Sequence, residues 1–274
     1  LTLPVTVGKF PSALLGSYDV LLESRINDLD HPMGLCRMTV SAGKWTASLQ
    51  MPGQSGARSA RGVFSLDAGL PTCRIGAVFP ATKATTTAAA MPATSVTCLL
   101  QGNTELVSGS FAAGSLTGTT RGFRLAKGTT LPYATHNLTL ALMPAEANDG
   151  TTAPGGFGWA NGTVGSNGVI NLIGQLGDAQ KASFSLGLSA TGQAILWAQP
   201  YKNKYSNIGG VITLGHLGSF VRGLSDEQLD DGLAWIRHAD ATEASYPGGF
   251  AFFGMTGHTN RWYPAPDAEA LAGS

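Results

Sequence analysis

Five histidines, His31, His136, His216, His238 and His258, are the side chains best suited to proton transfer or metal ligation in this 274-residue chain. None stands in an HExxH or HxH pattern, the spacings that bring two imidazoles onto one metal. His216 and His258 lie among glycines, which places each in a loop or at a strand end, and an isolated imidazole is rarely a ligand. The sequence GQSGA at 53–57 lacks the spacing of a serine nucleophile elbow. Asp226 with Glu227 and Asp230 with Asp231 are acid pairs in one polar loop. Adjacent acids do not grip a sugar from two sides as a glycosidase pair must. The run NDLD at 27–30 offers oxygens to calcium but lacks the spaced ligands and closing Glu of an EF-hand, so it reads as a solvated turn. No catalytic residue, metal site or cofactor is expected.

Residues 155–176, GGFGWANGTVGSNGVINLIGQL, carry six glycines in their first fourteen positions and come nearest to a phosphate-binding loop. Such a loop follows a strand and opens a helix whose first amides hold the anion. Here Gly168 leads into VINLIGQL, which alternates like a strand, and neither GxGxxG nor a GKS/GKT ending is present. The glycines bend backbone. No nucleotide site is expected.

A binding surface has better candidates. Trp197, Tyr201 and Tyr205 fall in LWAQPYKNKYSN with Lys202, Asn203, Lys204 and Asn207. Aromatic faces stack on sugar C–H faces while amides bond hydroxyls, which makes Trp197, Tyr201, Asn203, Tyr205 and Asn207 a candidate carbohydrate platform. The competing reading packs Trp197 and Tyr201 inward, as rings usually do, and leaves the polar residues in a loop. Tyr205, alternating with Asn203 and Asn207, is the ring least committed to a core. Arg261 and Trp262, in HTNRWY, form a second candidate at a barrel rim.

The elements that must hold these residues are strands. RMTVSAGKWTASLQM at 37–51 is two alternating runs around Ser41, Ala42 and Gly43. GTVGSNGVINLIGQL at 162–176 repeats the design around Ser166, Asn167 and Gly168, and 182–198 repeats it around Ala190, Thr191 and Gly192. Period-two runs bounded by such turns predict antiparallel hairpins with glycine or asparagine at positive φ. The one helical signal is a capping box, Ser225 with Gln228, too short for more than a decorated loop.

Composition excludes several classes. Charged residues are 12% and the net charge is zero, so nothing draws the chain to nucleic acid or an anionic membrane. Arg58 with Arg61, and Arg121 with Arg124, read as solvated strand-face pairs. Cys36, Cys73 and Cys98 have no CxxC spacing and read as buried small hydrophobes, with a Cys73–Cys98 bridge as the alternative. No apolar run is long enough for a transmembrane helix.

The chain also repeats itself. Gly34 aligns with Gly158 and Val40 with Val164 at an offset of 124, Phe64 with Phe184 at 120, Leu116 with Leu229 at 113, and Gly118 with Gly232 at 114. Drifting offsets are what loop insertions in a divergent duplication would leave. The expected architecture is all-β: one antiparallel β-barrel domain over 1–274, of about twelve strands, built from two diverged meander repeats at approximately 16–124 and 136–264. Closure would remove edge strands that a charge-poor sheet cannot protect.

The segments NLTLAL, the glycine-rich hairpins of 155–193, QPYKNKYSNIGGVITL, GLAWIRHAD and YPGGF resemble the β-rich repeat unit near the C-termini of large secreted or surface proteins of Verrucomicrobia and related environmental bacteria. The resemblance covers 137–263 well and 16–124 more weakly, and Val211 stands where that pattern has an aromatic residue. It implies a repeated β-meander in an extracellular or cell-envelope setting and carries no known biochemical function. The expectation is therefore a non-enzymatic module of a larger surface or secreted protein, adhesive or glycan-binding, with a glycan or cell-surface partner. The alternative is a bacterial outer-membrane β-barrel, which low charge and high glycine content suit.

Overall fold

The computed structural model describes residues 11–54, 56–66, 72–84, 90–102, 104–127, 137–144, 150–214, 232–242 and 245–262, with the backbone alone at 65–66, 254, 256 and 258–262. His136, His216, Leu229, the capping box at 225–228 and the acid pairs at 226–231 lie outside the described residues. The chain divides into two compact units, Leu1–Leu125 and Ala126–Ser274.

In the first unit the strands are β1 (Gly16–Ile26), β2 (Leu29–Ser41), β3 (Lys44–Gln50), β4 (Arg58–Val63), β5 (Ser65–Leu66), β6 (Thr72–Phe79), β7 (Thr94–Gln101), β8 (Leu106–Ala113) and β9 (Leu116–Arg124). They form one sheet in the order β4-β3-β2-β1-β9-β8-β7-β6-β5. The second unit contributes β10 (Asn137–Met143), β11 (Gly158–Val164), β12 (Val169–Gln175), β13 (Lys181–Gly187), β14 (Gln193–Ala198), β15 (Asn207–Thr213), β16 (Leu233–Arg237) and β17 (Phe250–Trp262). Its order is β13-β12-β11-β10-β17-β16-β15-β14.

Each sheet is an up-and-down antiparallel meander whose first strand pairs with its last. Its two edges are therefore consecutive in the chain. Only Phe64 separates β4 from β5. In the second unit a bridge between Leu188 and Ala194 joins the ends of β13 and β14, and the eight strands nearly close into a barrel. Among the described residues, the expectation of one barrel of about twelve strands over 1–274 thus gives way to seventeen strands in two sheets, one in each unit. The physical reason is the first-to-last pairing. It uses within each half the edges that a joint barrel would have needed.

The hairpins follow the sequence closely. Ala42 and Gly43 form a two-residue turn between the paired Ser41 and Lys44, with Gly43 at φ 76°. Three later turns share one design. In 165–169, 176–180 and 189–193 the first residue's N–H donates to the fifth residue's carbonyl, and the fourth residue's N–H donates back to the first. The fourth residue is left-handed in each: Gly168 at 79°, Ala179 at 68° and Gly192 at 85°. Glycine suits that conformation, and an alanine there is strained. Ala179→Gly should therefore raise stability by about 0.5–1 kcal/mol, while Gly168→Val should lower it by about 1–2 kcal/mol. Thermal midpoints that move in the same direction would contradict this account. The turn expected at NDLD is its first half: Asn27 and Asp28 both have positive φ, with Asp28 solvated beside Arg25, while Leu29 and Asp30 already pair in β2.

Corresponding register positions test the internal offsets. Val40 pairs Trp45 and Trp45 pairs Gly62; Val164 pairs Ile170 and Ile170 pairs Leu186. Val40 and Val164 thus occupy the second strand of their sheets, each shortly before the turn into the third, although the two turns differ in length. Phe64 and Phe184 do not match, since Phe64 follows β4 and Phe184 lies in the middle of β13. Gly118 is on β9 and Gly232 precedes β16, so that pair falls on different strands of the meander.

Alternation along the strands fills each interior. On β6, Cys73, Ile75, Ala77 and Phe79 point inward while Arg74 and Val78 face out. The second core gathers Leu140, Leu142, Ile170, Leu172, Leu196, Ile208, Ile212 and Trp235, all nearly inaccessible. All three cysteines are buried in the first core and none is in a disulfide, so no Cys73–Cys98 bridge forms. Burial pushes the Cys98 thiol up to about 12, and Cys36 higher still, which leaves both inert. Tyr18, also buried, donates its hydroxyl to the Leu14 carbonyl at 2.8 Å.

Desolvation raises the Tyr18 phenol from 10.0 to about 12, with Arg124 opposing the shift. A raised folded-state pKa means that the native chain keeps this proton longer than the unfolded chain. The stability linked to it is complete below pH 10 and is lost as pH rises from there toward 12. Thermal midpoints between pH 9 and 12 should show that decline, and Tyr18→Phe should flatten it.

Candidate functional site

One end of the second sheet carries the 176–180 turn, the 199–206 loop and the 238–249 connection. Beneath them lies a buried polar cluster. Arg237 lies on β16 in phase with Leu233 and Trp235, so its guanidinium points into the core side of an otherwise apolar strand. A charge there requires a partner. Arg237 Nη1 donates to Asp178 Oδ2 at 2.9 Å, and the two side chains are 6% and 0% exposed.

The Tyr201 hydroxyl donates to the same oxygen at 2.6 Å and accepts from Trp235 Nε1 at 2.9 Å. Asp178 Oδ1 accepts the Gln180 N–H at 3.1 Å and so also closes its own turn. The guanidinium sits 5.1 Å from the Tyr201 ring centroid and 6.0 Å from that of Tyr246. Burial, followed by the hydrogen bond to Asp178, raises the Tyr201 phenol far above its ordinary value. This group is a fixed donor, not an acid–base.

The loop above is tied down mainly by its own polar groups. Gln180 Nε2 donates to the Pro200 carbonyl, and Gln199 Nε2 to that of Lys204. The Tyr205 N–H donates to Asn203 Oδ1 at 3.0 Å, and Asn207 Nδ2 to the Tyr205 carbonyl at 3.2 Å. The His238 N–H donates to Ser206 Oγ. Tyr205 emerges from this frame 44% exposed, its ring 5.9 Å from that of His238.

The sequence candidates therefore separate. Tyr205 is exposed and Asn203 half-buried beside it. Tyr201 is core, held by Asp178 and Trp235. Trp197 is buried on the face of β14 opposite Leu196 and Ala198, and Asn207 is buried with its Nδ2 donating to the loop. Neither of these two can meet a ligand in solvent. Arg261 and Trp262 pair with Leu138 and Asn137 through their backbone, and their side chains lie outside the described residues.

The sequence reasoning passed over Asp178, Arg237 and the outer face of β11 and β12. The signal for Arg237 was its phase in LAWIR; Asp178 gave none beyond a polar turn. On that outer face Trp159 is 49% exposed and Ile173 72%, with Asn161 directly opposite Ile173 and Gln175 opposite Trp159. Among the described residues no three His, Cys, Asp or Glu side chains are grouped to hold a metal, and no helix is long and apolar enough to cross a membrane.

No protein-family model matches the chain. No curated protein matches it. No solved structure matches it.

Proposed function

We propose that this chain is a non-enzymatic module of an extracellular or cell-surface protein, and that it binds a glycan at the loop-bearing end of its second unit. The observation that carries this reading is the exposed Tyr205 ring, flanked by Asn203 and Lys202. The buried cluster of Asp178, Arg237, Tyr201 and Trp235 lies beneath its loop. A pre-ordered ring beside amide and ammonium donors can stack on a pyranose face at little ordering cost. The low charge and the polar, hydroxyl-rich outer faces suit a surface environment. The resemblance to repeat units of Verrucomicrobial surface proteins points the same way. The shared strand order and the Val40–Val164 register support reading the halves as diverged copies of one meander.

The outer-membrane alternative meets a physical difficulty. A membrane barrel turns its apolar side chains outward to lipid. Here Lys44, Thr46, Arg61 and Arg74 in the first sheet, and Lys181, Ser183 and Ser185 in the second, occupy exposed outward positions beside a few apolar ones such as Val78 and Ile173, while most of the apolar residues fill the cores.

A glycan array on the purified chain tests the proposal. Tyr205→Ala should abolish binding to the glycan so identified, with a change in stability within about 0.5 kcal/mol, as for other exposed positions. Trp159→Ala should leave that binding intact. An array without a specific ligand, or binding that survives Tyr205→Ala, overturns the assignment.

A further inference from the structure

Arg58 was expected in a solvated pair with Arg61, and the structure corrects this: Arg61 is exposed, whereas Arg58 is only 8% exposed. A spacing of three on a strand puts the two side chains on opposite faces. The Arg58 guanidinium is held by neutral groups alone. Nη1 donates to the carbonyls of Pro80 and Pro92 at 3.2 and 2.8 Å, and Nη2 to Thr94 Oγ1 at 2.8 Å with Met51 Sδ at 3.5 Å. Nε is buried without a hydrogen-bond partner, and no carboxylate pairs with this cation among the described residues. Burial lowers its pKa, yet a guanidinium does not lose its proton in a protein.

A second unmet donor belongs to the same turn. Gln54 is 6% exposed, its Oε1 accepts the Met51 N–H at 3.2 Å, and its Nε2 is buried with no partner among the described residues. Arg58 and Gln54 thus both contact Met51, one through its sulfur and one through its backbone. The region carries one positive charge that no carboxylate pairs among the described residues, and two unsatisfied N–H donor groups. An isolated buried charge of this kind is strongly unfavourable unless something opposes it.

We propose that the β3–β4 turn of the first unit binds a small monovalent anion, of the halide class, between Arg58 Nε and Gln54 Nε2. Charge selects an anion. The small number of donors selects a spherical one, because a sulfate or phosphate would leave several of its own oxygens unsatisfied in a buried place. The bound halide neutralises Arg58 and ties Gln54 to the guanidinium that already holds the Pro80 and Pro92 carbonyls, which makes it a structural ion of the first unit. This site is independent of the glycan proposal.

The test uses the whole chain at one fixed ionic strength, exchanging sodium isethionate for sodium chloride. The wild-type thermal midpoint should rise by about 3–6 °C and saturate as chloride replaces the bulky anion, as expected for a ligand that binds only the native state. Gln54→Leu, nearly the same shape, should lose most of that rise. A wild-type midpoint indifferent to chloride, or an equal rise in Gln54→Leu, overturns the proposal. Bromide anomalous diffraction on wild-type crystals gives a readout that needs no variant. A peak within hydrogen-bond reach of Arg58 Nε supports the site, and none there overturns it.

Discussion

Arg237→Ala is expected to destabilise the second unit by about 3–5 kcal/mol. The loss comes less from the attraction forfeited than from the carboxylate left behind. Asp178 is wholly buried and, among the described residues, would retain only the Tyr201 hydroxyl and the Gln180 N–H as donors. An ionised oxygen without its cation, taken out of water, costs more than the pair ever contributed. Removing both charges should therefore be milder than removing one. Arg237→Met combined with Asp178→Asn keeps the turn-closing acceptor for Gln180 and should recover most of the stability. Chemical denaturation of these two variants against the wild type checks this. A double variant as unstable as Arg237→Ala would show that the ion pair itself, not the orphaned charge, holds the loops together.

Trp235→Ala should cost about 3–5 kcal/mol by a different route. The indole is 1% exposed and meets Phe250 edge-on with ring centroids 4.8 Å apart, with Phe252 at 5.8 Å. Its truncation opens a cavity in the second core and also removes the N–H that orients Tyr201. Trp235→Phe restores most of the apolar volume but not the donor, and should cost about 1–2 kcal/mol. If the two variants unfold at the same denaturant concentration, the hydrogen bond to Tyr201 dominates and packing does not.

The contrast between hairpins and closure shows what the sequence made legible. Gly43, Gly168 and Gly192 could be assigned to turns because a hairpin is a local event, set by a few neighbouring residues and the two-residue period of its flanks. The partner of β1 could not be read in this way. It is β9, about a hundred residues on, and no local pattern says that a meander closes on its own last strand instead of continuing into the next half. The same limit explains the candidate site. Among the candidate rings Tyr205 could be ranked, from its polar neighbours, as the one least committed to the core, and it is exposed. Trp197 could not be placed, because both faces of β14 are buried and alternation distinguishes faces only where one of them is wet. Asp178 and Arg237 are fifty-nine residues apart, and each looks ordinary until the fold joins them. Arg58 was legible and misread, since its odd spacing from Arg61 already required one of the two to turn inward.

The pairing of first strand with last has a consequence for how such a unit can be carried in a chain. Tyr18 stands opposite Arg124, and Asn137 opposite Trp262, so in each unit the entering and leaving segments are a single strand spacing apart, about 4.8 Å. A host polypeptide that opened one surface loop by that small gap could accept either meander as an insertion without stretching its own fold. The gap is nearly the same wherever the unit is placed. Copies could therefore be added, lost or transplanted one at a time, each hanging from its host like a pendant on a closed ring.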